Sequence, residues 1–166
     1  MPNNEGSAAD LLESKCLKEA NFYQRKFRSV TALSSRDFLE CLLFPHQEEG
    51  YTLVDARTEP ERAVSKIQGA IPLREFHAPD DGGDDDSVVV VVYCTIGYRS
   101  GMEATRLHQR YPNLRIYNLD GIVAFSHAVQ DDSRIQLVSG DDETRKADRV
   151  HTFAGIWDSW MKQSLN

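Results

Sequence analysis

The chain is short of several things that would place it in a familiar class. No apolar run approaches the roughly 20 residues that span a bilayer, and Met1 to Gly6 has neither the basic nor the apolar stretch of a secretion signal. Cysteine is scarce: Cys16, Cys41 and Cys94 are odd in number and widely spaced, which fits free thiols in a reducing compartment better than a disulfide framework. A cytoplasmic protein is expected, or one carried to an organelle by a leader since removed. Positive charge is short as well, with 19 Lys and Arg against 26 Asp and Glu and a net charge of -7. That balance argues against nucleic-acid binding, which needs clustered cations on phosphates. The five histidines show no pairing with cysteine or carboxylate at metal spacing, so neither a metal nor a cofactor is assigned. What remains is enough apolar residue, 40%, for the core of one domain in 166 residues.

Against that background one stretch stands out. Val88 to Tyr93 is a fully apolar run without alternation, the pattern of a central parallel strand covered on both faces, and it stops at Cys94. Thr95-Ile96-Gly97-Tyr98-Arg99-Ser100 follows, and good helix formers continue to Tyr111, with Met102 and Leu107 among the apolar ones. A helix is therefore expected from near Ser100. A cysteine between a strand's carboxyl end and a helix's amino end faces unpaired backbone N–H groups and the positive end of the helix dipole. Such surroundings, with a cation such as Arg99 nearby, favour thiolate over a thiol that is otherwise half ionised at about pH 8.5. Cys94 is the candidate nucleophile.

The rest of the chain supplies alternating helices and strands. Ser7 to Asp10 matches a capping box, and Ala8, Leu12, Cys16, Ala20, Tyr23 and Phe27 share one face of an expected N-terminal helix that docks on the main domain. Val30 to Leu33 reads as a short extended segment. A helix capped by Ser34 or Ser35 should then run through Cys41 to Phe44 and stop at Pro45. Tyr51 to Val54 reads as a buried strand ending at Asp55-Ala56-Arg57. Those charges either line the crevice that forms at strand carboxyl ends or make a structural ion pair. Thr58 can cap a short helix with Pro60 near its start, and Gln68-Gly69-Ala70-Ile71-Pro72 turns into a short strand. Residues 78–87 form an acidic solvated loop, and Leu114 to Leu119 a strand before Asp120-Gly121 and a helix from Ile122 to Val129. The division expected is a helix over 1–29, a domain over 30–137, and an acidic then aromatic tail over 138–166 that folds back through Val150, Phe153, Ile156, Trp157 and Trp160.

Four ordered motifs, Asp55-Ala56-Arg57, Gly69-Ala70-Ile71-Pro72, Cys94 to Ser100, and Asn118-Leu119-Asp120-Gly121, resemble the rhodanese-like (sulfurtransferase) domain family. The resemblance covers about Val30 to Val129. It departs at Ser65-Lys66-Ile67, where the family has Gly-His-Ile, at Phe125 in place of a tryptophan, and at Ile122 in place of a second glycine. The resemblance implies an α/β fold, a central parallel sheet of about five strands flanked by helices on both faces. It also implies a Cys94 persulfide that takes sulfane sulfur from thiosulfate or a related small anionic donor and passes it to cyanide, a thiol or a protein acceptor. Backbone N–H groups from Thr95, Ile96, Gly97, Tyr98 and Arg99 would cradle the sulfur, Arg99 would attract the anion, and Asp55, Arg57 and Ser100 would support the loop. Phosphatases sharing the fold resemble a longer Cys-x5-Arg loop, whereas four residues separate Cys94 from Arg99. A persulfide relay or regulatory binding module with little small-molecule turnover is the alternative. Neither nucleic acid nor a membrane is an expected partner.

Overall fold

The computed structural model describes residues 8–41, 50–79 and 88–152. The valine run becomes β5 (Val89–Tyr93), the middle strand of a five-stranded, wholly parallel sheet. It lies between β2 (Tyr51–Asp55) and β6 (Arg115–Leu119), with β1 (Thr31–Leu33) and β4 (Ile71–Pro72) at the edges, in the order β1-β6-β5-β2-β4. Register is continuous across the centre: Leu53 pairs with Val91 and Val91 with Tyr117.

Both faces of β5 are covered, as the unbroken apolar run implies. Val91 and Tyr93 join a core with Leu53, Leu119, Phe125 and Phe38, which draws in α1 (Ala8–Gln24), α2 (Ser35–Cys41) and α5 (Ile122–Ala128). Val90 and Val92 face the other way, onto Val54, Ile116 and Ala104 of α4 (Tyr98–Arg110). Complete burial of each such side chain contributes about 1.5–3 kcal/mol, so the middle strand is the most strongly specified element. The parallel sheet flanked by helices on both faces is the expected architecture.

Several boundaries differ from expectation. The first helix ends at Gln24, because Lys26 and Phe27 bond the carbonyls of Tyr23 and Gln24 in tighter turns. Within it Cys16 and Ala20 are fully buried. Helix α4 begins at Tyr98, two residues before Ser100, immediately after Gly97. A second, antiparallel sheet was not foreseen: β3 (Lys66–Ile67) pairs with β7 (Leu137–Val138), too short for a period to register. The helical stop at Pro45, the loop residues 80–87, the Ser7 cap and the aromatic residues from Phe153 onward lie outside the described residues. Among the described residues no helix is long and apolar enough to cross a membrane.

The carboxyl ends of β5 and β6 meet at the start of α5. The N–H groups of Ile122 and Val123 donate to the carbonyls of Cys94 (2.9 Å) and Thr95 (3.3 Å), so the free amides of that helix end hold the loop by its oxygens. Gly121 sits at this contact with φ 113°, and a Cβ there would lie 2.3 Å from the Thr95 carbonyl oxygen. Gly121→Ala is therefore expected to lose about 2–5 kcal/mol, strain and overlap together. Urea unfolding checks this, and a loss below about 0.5 kcal/mol, the range of an inert surface change, would rule the contact out.

Candidate active site

Cys94 directly follows β5 and its side chain turns into the loop that leads to α4. Gly97 makes this possible. Its φ of 88° is a left-handed conformation natural to glycine, and its N–H donates to Cys94 Sγ at 3.2 Å. Ser100 Oγ, in the first turn of α4, stands 3.4 Å from the same sulfur. Cys94 is only 1% exposed, yet it lines a pocket of about 430 Å³ together with Tyr23, Lys26, Thr95, Ile96, Tyr98 and Arg99. A buried nucleophile with a fixed N–H donor and an open pocket can develop negative charge without reorganising its surroundings.

Arg99 also lines this pocket, but its charge is matched. Its two terminal nitrogens donate to Glu61 Oε2 (2.8 Å) and Oε1 (2.6 Å) in a bidentate pair, and one also donates to Thr95 Oγ1 at 2.9 Å. Glu61, in α3 (Glu59–Val64), is buried and accepts the Thr58 N–H as well. Burial alone would push the Glu61 carboxyl up; the Arg99 guanidinium and the two Thr58 hydrogen bonds outweigh it and hold the carboxyl at about 2. The cation expected to draw an anion to Cys94 is thus shared with a carboxylate. The signal was present in Thr58-x-x-Glu61, which reads as a helix cap; that the same carboxylate reaches across to α4 is a tertiary fact.

Asp55 and Arg57 form a structural ion pair. The Arg57 guanidinium donates to Asp55 through Nε and Nη2 (2.7 Å for the shorter) and from Nη2 to the Ser65 carbonyl, and both side chains are fully buried. Tyr93 joins them: its hydroxyl donates to Asp55 Oδ2 at 2.7 Å and accepts the Ile67 N–H at 3.2 Å. Burial and the neighbouring Asp55 charge push the Tyr93 phenol well above its ordinary range, which keeps it a donor. This network braces β2, β3 and β5 immediately before Cys94 and does not line the pocket.

Two supports of the loop carried no assigned role in the sequence. Asn118, at the end of β6, accepts the Ser100 hydroxyl (2.7 Å) and donates to the Gly97 carbonyl (2.9 Å), holding both residues that approach the sulfur. Gln24, the last residue of α1, donates to the carbonyls of Asn118 (2.7 Å) and Leu33 (3.1 Å). Asn118 belongs to one of the motifs above; the periodicity of α1 marks Tyr23 as part of its docking face but does not mark Gln24 or Lys26. Asp120 accepts the Ser35 N–H and hydroxyl at the start of α2. Cys16 is packed in the core, and burial, with Asp120 and Glu13 adding to it, pushes its thiol up and out of the reactive range. Among the described residues no group of three or more His, Cys, Asp or Glu converges as a metal site would require.

Comparison with known proteins bears on the family and the fold. The model of the Rhodanese-like domain matches residues 40–128, more than half of the chain, and the chain belongs to that family, which is of the sulfurtransferase type. Among solved structures, the thiosulfate sulfurtransferase of Pseudomonas aeruginosa superposes with a TM-score of 0.50 at 19% identity, over 90% of this chain and 26% of that one. A rhodanese-like domain protein of Staphylococcus aureus gives 0.46 at 18% identity, over 64% of this chain and 97% of that one. A protein of Rhodopseudomonas palustris described as of unknown function and a possible tyrosine phosphatase gives 0.41 at 18%, over 73% of this chain and 89% of that one. At such identities the first of these speaks for the fold. No curated protein matches the chain.

The Glu61 contacts carry a pH signature. A carboxyl held at about 2 when folded, against an ordinary 4.5, contributes stability that is fully present above pH 4.5 and is lost as pH falls toward 2. Denaturant unfolding across this window is expected to show an acid loss in the wild type that is smaller in Glu61→Gln; equal acid slopes would mean that Arg99 does not pair with Glu61 in solution.

Proposed function

We propose that the protein is a sulfurtransferase in which Cys94 carries a sulfane sulfur as a persulfide. The observation that carries this reading is the Gly97 N–H on Cys94 Sγ at 3.2 Å, in a loop where four residues separate Cys94 from Arg99 and a pocket opens over the sulfur. Membership of the rhodanese-like family supports it. Such a loop suits a sulfur chain; a phosphoryl group with three equatorial oxygens needs more donors and a wider turn.

The reaction is nucleophilic covalent catalysis. The Cys94 thiolate attacks the outer sulfur of thiosulfate; a new S–S bond forms as the old one breaks, and sulfite leaves with the electron pair. The terminal sulfur of the persulfide carries the negative charge and takes hydrogen bonds from the loop amides. Cyanide then attacks that terminal sulfur, thiocyanate departs, and the Cys94 thiolate is restored. A thiol acceptor takes the same sulfur by the same displacement. Gly97 supplies the N–H, and Asn118 and Ser100 keep the loop in the conformation that aims it. The Arg99–Glu61 pair stiffens the far side of the loop.

The wild type is expected to gain the mass of one sulfur atom at Cys94 after thiosulfate treatment and to release thiocyanate with cyanide. Cys94→Ala should do neither. Mass mapping and a colorimetric thiocyanate assay check this; hydrolysis of p-nitrophenyl phosphate without sulfur uptake would replace the reading by phosphatase chemistry.

A further inference from the structure

The carboxyl end of α1 precedes residue 40, where the family match begins, yet it reaches the Cys94 loop and α4 at two glycines. The first is Gly97. Gln24 is 5% exposed, and a Cβ on Gly97 would lie 3.3 Å from Gln24 Cγ, so the methylenes of the glutamine rest on the bare Cα of the glycine. The second is Gly101, one turn along α4, whose N–H donates to the Gly97 carbonyl at 3.3 Å. A Cβ on Gly101 would fall 2.1 Å from the Phe27 ring, so the ring occupies the place a side chain would take. Phe27 also meets Tyr98 edge to face at 5.6 Å, and its N–H closes a turn onto the Gln24 carbonyl at 3.1 Å. Two contacts one turn apart fix the end of α1 against the start of α4 in both position and rotation.

The Gln24 amide ties this contact to the sulfur. Its Nε2 donates to the carbonyls of Asn118 at 2.7 Å and Leu33 at 3.1 Å, which fastens the side chain to the ends of β6 and β1. Asn118 in turn donates to the Gly97 carbonyl at 2.9 Å and accepts the Ser100 hydroxyl at 2.7 Å. Gly97 is thus held through its carbonyl by Asn118 and at its Cα by Gln24, and the two holders are bonded to each other. Glycine has more backbone freedom than any other residue and no side chain to restrain it. At Gly97, with φ 88°, neighbouring groups therefore decide where the N–H points, and that N–H is the donor to Cys94 Sγ at 3.2 Å.

We propose that Gln24 is a positioning residue for the chemistry of Cys94: its amide and methylenes set the direction of the Gly97 N–H, and Phe27 at Gly101 seats it there. This rests on the Cys94 persulfide reading and adds to the site a part of the chain that lies outside the family match. Gln24 touches neither the sulfur nor the pocket that opens over it; it acts through Gly97. A hydrogen bond weakens steeply as its angle opens, and a donor aimed at negative charge contributes most when it does not have to move. A small rotation of the Gly97 peptide therefore costs reaction rate while the sheet and helices stay in place. Helix α1 is on this account a working part of the nucleophile's surroundings as well as a cover for the core.

The test uses the full chain and Gln24→Met, which keeps the methylenes and removes the amide, with Leu137→Ala in β7, outside the pocket over Cys94, as the control that loses stability alone. Three quantities are followed: single-turnover sulfur uptake at Cys94 from thiosulfate, alkylation of Cys94 by iodoacetamide at neutral pH mapped by mass, and the Gly97 amide resonance of the 15N-labelled protein. Gln24→Met should lower the maximal rate of uptake and the rate of alkylation by about tenfold each, leave the half-saturating thiosulfate concentration within about threefold of the wild type, and shift the Gly97 amide resonance upfield. Leu137→Ala should lower the melting temperature and leave all of these near the wild type. Should Gln24→Met fail to fold, Gly101→Ala, which displaces Phe27, carries the same readouts in the same direction. If Gln24→Met melts earlier but keeps the wild-type rates and Gly97 resonance, Gln24 is a structural residue only, and the assignment is wrong while the persulfide reading stands. If wild-type Cys94 takes up no sulfur, the persulfide reading fails, and the alkylation rate and the Gly97 resonance still decide whether Gln24 positions the N–H.

Discussion

One hydrogen bond governs the arrangement of this molecule: the Gly97 N–H on the sulfur of Cys94. Three separate elements are spent on aiming it. Strand β5 delivers the cysteine from a core covered on both faces, the amino end of α5 ties down the carbonyls of Cys94 and Thr95, and Asn118 of β6 holds the Gly97 carbonyl and the Ser100 hydroxyl. Because the carbonyls of Cys94, Thr95 and Gly97 are bound by other groups, the loop is held in the conformation that leaves the Gly97 N–H to the sulfur. The polarity of the site follows from that division of donors and acceptors rather than from any single charge.

Charge is handled by pairing. Asp55 with Arg57, and Glu61 with Arg99, are ion pairs whose carboxylates are withdrawn from water and accept extra hydrogen bonds from Tyr93, Thr58 and Thr95. A buried charge without such partners would cost several kcal/mol; the Glu61–Arg99 pair, and the Tyr93 hydroxyl on Asp55, each link segments 38 residues apart. The consequence is that the charged side chains of both pairs are matched within the scaffold around Cys94.

The strand-loop-helix around Cys94 was legible because both of its signals are local: an unalternating valine run reports two covered faces, and a glycine with an arginine at fixed offsets reports a tight turn into a helix. The Asn118-Leu119-Asp120-Gly121 motif could be located for the same reason. Its side-chain roles could not, since the partners of Asn118 lie 18 and 21 residues away. Glu61 was visible only as a residue of the short helix that Thr58 caps, and its reach to Arg99 spans 38 residues. Tyr23 was legible as part of the docking face of α1, but not that this face ends beside Cys94; Lys26 lies beyond the last residue of the helix, where no period marks it. The β3–β7 pair, two residues in each strand, is below the length at which alternation can be read.

The antiparallel clasp between Lys66–Ile67 and Leu137–Val138, and the pairing of Thr31–Leu33 with Tyr117–Leu119, both reach beyond residues 40–128. The stretch that the family shares is therefore smaller than the unit that folds. Excising it would uncover the flank of β6, leaving a row of unanswered main-chain groups next to apolar side chains, the kind of edge on which chains stack into aggregates. The flanking segments of this protein thus cover the edges of the shared piece as well as helping to shape its cleft.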